Sequence, residues 1–277
     1  LREQGLYRKL RILEGAAAAH ATFDGRSVVN LSSNNYLGLA THPKLKQAAL
    51  DAVAKYGVGS GAVRTISGTM EMHMELERRL AAFKHVEAVV VFQSGFTANA
   101  GTVSAILTKD DVVISDELNH ASIIDGCQFA PAKLIPYRHN SAVSLRNRLK
   151  RQPEEAGKLV VMDGVFSMSG DIADLPAQLE IAKEFGARVY VDEAHSLGVL
   201  GPQGRGVVHE FGLNDEVDIV MGTFSKSLGS MGGFIAGDGQ MIEYLKHRAR
   251  CFIFTASLAH AVAGGVLKAL EIMQQEP

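Results

Sequence analysis

The chain has 277 residues, 47% of them hydrophobic and 21% charged, which is enough to bury a sizeable core and too apolar for a disordered tail. A formal net charge of −2 supplies no basic field for nucleic acid, and no block of like charges marks a polyanion or membrane-surface partner. Cys127 and Cys251 are too few for a disulfide framework or a cysteine-built zinc cluster, and with no apolar leader or spanning stretch in view they point to a cytoplasmic protein of small-molecule chemistry.

Residues 1–40 read as an N-terminal arm: a helix from Leu1 to Leu10, a short hairpin from Thr22 to Leu31, then the irregular NNYLGLATHP. The helical pattern LKQAALDAVAKY leads into GVGSGA, which has the glycines of a dinucleotide fingerprint but follows a helix where that motif needs a strand, so it reads as a turn near a dimer interface. Met70, Met72 and Met74 fit helix packing better than a ligand set. From residue 41 to 240 the β-branched runs EAVVVF, DVVISD, KLIPYR, KLVVMDGV, ARVYVDEA, DIVMGTF and GGFIAG read as buried strands. Apolar residues at helical spacing mark Thr97 to Leu107, Ala142 to Lys150, Leu175 to Phe185 and Met241 to Arg250. Alternation of the two predicts an α/β fold with a mostly parallel central sheet covered by helices on both faces. Ligands bind beyond the carboxyl ends of such strands, where Ser94, Ser167, Asp192 and Thr223 all fall. Residues 241–277 read as a helical segment leading toward a further domain.

Two segments carry the chemistry. Lys226 stands in TFSKSLGSMGGF, 34 residues after Asp192 in VYVDEAHSLG. A lysine among small residues after one apolar run, with an aspartate ending an earlier one, suits pyridoxal phosphate: the amine holds the aldehyde and the buried carboxylate keeps the ring nitrogen protonated. DEAH alone also matches a helicase box, but no GxxxxGK[ST] phosphate loop precedes it. His42, His73, His85, His139, His209, His247 and His260 show no paired metal spacing, so no metal site is expected.

NNYLGL, GAVRTISGT, HMELERRLAAF, FQSGFTAN, SDELNHASIIDG, GVFSMSGDI, VDEAHSLGVLGPQGRG, GTFSKSLG and FIFTASL together resemble, in order, the pyridoxal-phosphate-dependent α-oxoamine synthases of fold type I, the aspartate aminotransferase fold. The resemblance implies an acyltransferase that condenses an amino acid with an acyl-CoA, releasing CoA and carbon dioxide to leave an aminoketone, in a homodimer with shared active sites. It implies a phosphate site at Ser94, Gly95, Phe96 and Thr223, completed from the partner subunit by Thr255 and Ala256. His120 would lie on the cofactor ring and orient substrate, Ser167 and His195 would bond the ring hydroxyl, and Asn34 would lie near the substrate carboxylate. Lys226, His120, Asp192 and His195 form the expected catalytic set. Ser169 and Cys251 depart from the family pattern, which has aspartate and proline there. The resemblance also implies a small C-terminal domain with a carboxylate-gripping arginine, missing or truncated here, so the chain as it stands is expected to be deficient in condensation. GAVRTISGT, with Val63 before the arginine, places glycine C-acetyltransferase first and glycine as the favoured amino acid, 8-amino-7-oxononanoate synthase of biotin biosynthesis second, and serine palmitoyltransferase third. Outside the family, an aminotransferase and a catalytically inert fragment remain as alternatives.

Overall fold

The computed structural model describes residues 1–276. Among the described residues, ten strands form two sheets. The arm carries β1 (Leu13–Glu14), β2 (His20–Phe23) and β3 (Arg26–Val29), an antiparallel meander whose β2–β3 hairpin turns at Asp24 and Gly25, both at positive φ. The central sheet contains β4 (Ala88–Phe92), β5 (Val112–Asp116), β6 (Lys133–Tyr137), β7 (Lys158–Asp163), β8 (Arg188–Asp192), β9 (Ile219–Thr223) and β10 (Gly233–Gly237). Its order is β4-β10-β9-β8-β7-β5-β6, parallel throughout except that β10 runs antiparallel to both of its neighbours.

Strand alternation divides the core in two. Val89, Val91, Ile114, Val160, Met162, Val189, Val191 and Val220 face one apolar layer, while Val90, Phe92, Val113, Val161, Tyr190 and Met221 face the other. Both faces are therefore covered, as the continuous apolar runs require. The first layer also takes in the helix His260–Gln275, which packs on the helix Pro43–Tyr56; a β-carbon on Gly264 would come within 2.8 Å of the Ala48 carbonyl oxygen and the Ala52 side chain, so only glycine permits that approach.

The seven predicted strands and the four predicted helices are all present, as is the Thr22–Leu31 hairpin. The expected helix from Leu1 to Leu10 is not: that stretch is turn and irregular backbone, and all ten residues are exposed. An isolated helix of fewer than about 12 residues is marginal in water, and no core face receives this one. No helix among the described residues is long and apolar enough to cross a membrane.

Candidate active site

The parallel register sets the site. Asp163 and Asp192 end β7 and β8 level with each other, and β9, whose Met221 pairs with Asp192, runs two residues further to end at Thr223. Ser94 follows β4 and caps the helix Gly95–Ile106, its hydroxyl accepting from Thr97 N–H at 3.0 Å. The N–H groups of Gly95 and Phe96 open that helix and have no acceptor within it, so they are free for an anion, which the helix dipole also favours. A β-carbon on Gly95 would meet the Thr223 hydroxyl at 3.3 Å, and one on Gly233 would meet Gly95 Cα at 3.0 Å. Strand ends β9 and β10 thus press directly against this helix start, forming one cradle. Ser167 is exposed on the turn beyond β7 and its side chain makes no hydrogen bond among the described residues.

Within the chain, the Ala256 carbonyl accepts from Gln93 Nε2 at 2.5 Å and its backbone bridges Val63, with the half-buried Thr255 next to it. Lys226 Nζ lies 2.6 Å from His195 Nε2. Tyr36 donates its O–H to Asn34 Oδ1 at 3.2 Å, so its oxygen is left to accept from His195 Nδ1 at 2.7 Å, and Nε2 is left to accept from the lysine. Donation therefore runs one way, from Lys226 through His195 and Tyr36 to Asn34 in the arm. Burial lowers the Lys226 pKa, with Asp192 and Asp163 pulling the other way. Burial, then the charges of Lys226 and His120, push His195 down to about 4, so its ring is neutral at physiological pH.

Asp192 is buried, accepting from Asn99 Nδ2 and from Ala194 N–H, each at 2.8 Å. Its neighbour Asp163 accepts the His120 backbone N–H at 2.9 Å; burial and the Asp192 charge hold its pKa well above the usual carboxylate range. Tyr36, Asn99 and Asp163 join the site without having been singled out in the sequence. Asp163 carried the same signal as Asp192, an aspartate closing an apolar strand. Asn99 was a polar residue inside an otherwise apolar helix pattern.

This donor set fits pyridoxal phosphate: a helix start and hydroxyls for the phosphate, a buried carboxyl group for a pyridinium, and a half-buried amine of lowered pKa for an aldehyde. The family model for class I and II aminotransferases matches residues 26–276. The chain belongs to the pyridoxal-phosphate-dependent α-oxoamine synthases within that class. It is 53% identical over 274 residues to 8-amino-7-oxononanoate synthase of Alkaliphilus metalliredigens, covering 99% of this chain and 69% of the relative. It is 47% identical over 277 residues to serine palmitoyltransferase of Sphingobacterium spiritivorum, covering all of this chain and 69% of that protein. The solved serine palmitoyltransferase of Sphingomonas wittichii superposes with a TM-score of 0.95 at 38% identity, covering 98% of this chain and 70% of that one. These relatives correct the branch read from GAVRTISGT and Val63: they favour 8-amino-7-oxononanoate synthase over glycine C-acetyltransferase, and nothing in them supports a preference for glycine.

Proposed function

We propose that this chain is an 8-amino-7-oxononanoate synthase, condensing alanine with a pimeloyl thioester and releasing the thiol and carbon dioxide. The observation that carries the assignment to this chemistry is the half-buried Lys226 amine, held at 2.6 Å by a neutral His195 and within the electrostatic reach of Asp192. The branch rests on the 53% identity to the Alkaliphilus enzyme. When bound, pyridoxal phosphate supplies an electron sink for the bond-breaking steps at the substrate α-carbon. Lys226 would hold its aldehyde and, once displaced by the amino acid, accept the α-proton, a task for which its lowered pKa suits it. Asp192 would hold the proton on the ring nitrogen. Ser94, Gly95, Phe96 and Thr223 would bind the phosphate, with Thr255 and Ala256 from the partner of a homodimer. His120 would lie over the ring, Ser167 and His195 would serve the ring hydroxyl, and Asn34, fixed by Tyr36, would meet the substrate carboxylate. A cytoplasmic setting fits this reading.

Two measurements test it. Borohydride reduction with pyridoxal phosphate, followed by peptide mapping, should place the pyridoxyl group on Lys226, and label on another lysine would overturn the site. Thiol release should be fastest with alanine and pimeloyl-CoA. A preference for serine with palmitoyl-CoA would move the chain to the branch of the Sphingobacterium relative, and a preference for glycine with acetyl-CoA would restore the reading from GAVRTISGT.

A further inference from the structure

We propose that Asn99 and Ser122 are positioning residues that tie the Asp192 carboxylate to the tautomer of His120, so that His120 presents its Nε2–H as a donor. The argument is one of donor and acceptor accounting in a buried network. Asp192 accepts Ala194 N–H on one oxygen, and its other oxygen lies 2.8 Å from the Asn99 amide. A carboxylate takes only donors, which orients the Asn99 side chain with Nδ2 toward Asp192 and Oδ1 away. Tyr190, fully buried, donates its O–H to that Oδ1 at 2.6 Å and locks the orientation from the other side. The second Nδ2 hydrogen goes to Ser122 Oγ at 2.9 Å. Ser122 Oγ has then accepted, and its single O–H is left for His120 Nδ1, 2.7 Å away. The Ser122 backbone N–H points at the same nitrogen from 3.2 Å. Two donors on Nδ1 leave the ring proton on Nε2, which makes no hydrogen bond among the described residues.

The main chain is fixed as carefully as the ring. Asp163 accepts His120 N–H, Asn119 Oδ1 accepts Asp163 N–H at 2.8 Å, and Asn119 Nδ2 is spent on Ser115 Oγ and the Val161 carbonyl, each at 2.8 Å. Asn99, Ser122 and Asn119 are all buried, so each unmade bond would be costly. The result is a wire of fixed direction between two groups that the proposed function places on opposite duties, one at the ring nitrogen and one over the ring face.

The proposal rests on the reading of His120 and Asp192 as cofactor-facing residues, but its test does not depend on cofactor or substrate. The chain labelled with 15N-histidine, with the His120 signals assigned by their loss in His120→Gln, reports through multiple-bond 1H–15N spectra which ring nitrogen carries the proton. His120 is expected as the Nε2–H form, both cofactor-free and after addition of pyridoxal phosphate. Asn99→Asp turns the donor at Ser122 into an acceptor, with one proton taken up on Asp192 because two touching buried carboxylates cannot both ionise; the serine O–H should swing to the introduced carboxylate and the Nδ1–H form should appear. Ser122→Ala should also admit the Nδ1–H form, while Ser122→Thr, which keeps the hydroxyl, should restore the wild-type spectrum. A wild-type His120 protonated on Nδ1, or folded Asn99→Asp and Ser122→Ala proteins with the wild-type tautomer, would overturn the proposal. Failure of the cofactor reading would show instead as pyridoxyl label away from Lys226, with the tautomer result unaffected.

Discussion

His195 and His209 should both make the protein less stable in acid, by amounts that follow from where they sit. Burial, then the charge of Lys226, lowers His195 to about 4; burial, then Lys84, His85 and Arg205, lowers His209 to the same value. Neither ring nitrogen of His209 has a hydrogen-bond partner among the described residues. Both folded values lie below the ordinary 6.5, so the unfolded chain takes up protons first. The loss of stability begins as pH falls through about 6.5 and is complete only below about 4. Between pH 7.5 and pH 4.5 each histidine costs about 2.5 kcal/mol by linkage, and since both rings are only half-buried, solvent screening cuts this to ~1.3 kcal/mol each. His139 works in the opposite sense: burial disfavours its charge, but hydrogen bonds to Asp116 and Asp171 outweigh that and raise its pKa, so its contribution is present below 6.5 and is lost as pH rises through the folded value. Urea unfolding at the two pH values therefore has to be compared between variants, where His139 and the carboxylates cancel. His209→Phe and His195→Gln should each shrink the stability difference between pH 7.5 and 4.5 by ~1.3 kcal/mol, and the double variant by about twice that, the rings being in separate networks. If both single variants keep the wild-type difference, the histidines titrate near 6.5 and burial does not govern them.

Runs such as KLVVMD and RVYVD made the central sheet legible because a strand buried on both faces has to be apolar at every position, and few other structures demand that. The direction of β10 was not legible: GGFIAG carries the same signal whether it runs with its neighbours or against them, since pairing direction is decided by the connection and not by the strand's own residues. Lys226, Asp192 and Ser94 could be singled out as candidates because the chemistry proposed for them constrains a local pattern. Tyr36 could not, because its place depends on the arm folding back so that residues 159 apart in sequence meet at 2.7 Å. Asn99 and Ser122 were hidden for a related reason. Their partners lie on other elements, and a polar residue in a helix is normally read as facing solvent unless something shows what it bonds.

In the cofactor-free protein, burial lowers the Lys226 pKa below 10.5, so the folded chain holds that proton less tightly than the unfolded one and stability rises as pH climbs toward 10.5. Lys226→Met should accordingly raise the urea midpoint at pH 7, with the gain fading toward pH 10.5; a lowered midpoint at pH 7 would mean that the pocket is wet enough to solvate the ammonium. The ion pair next to the site supplies a larger effect. Lys84 and Glu193 have fully buried side chains: Lys84 Nζ donates to a Glu193 oxygen and to the Arg205 carbonyl, and the other Glu193 oxygen accepts Val208 N–H at 2.9 Å. Lys84→Met leaves a carboxylate in the core with one backbone donor, a loss of about 3–5 kcal/mol. For a chain of this size that lowers Tm by roughly 10 °C. Removing both charges, in Lys84→Met with Glu193→Leu, should recover most of the loss, because the penalty belongs to the orphaned charge and not to the missing attraction. Since Glu193 directly follows Asp192, the single variant should also weaken pyridoxal phosphate binding, read from cofactor absorbance, and the double variant should recover it in step with Tm. A single variant that melts within about 2 °C of wild type, equivalent to about 1 kcal/mol, would show that water or a proton reaches Glu193 and that the pair is not what holds this end of β8.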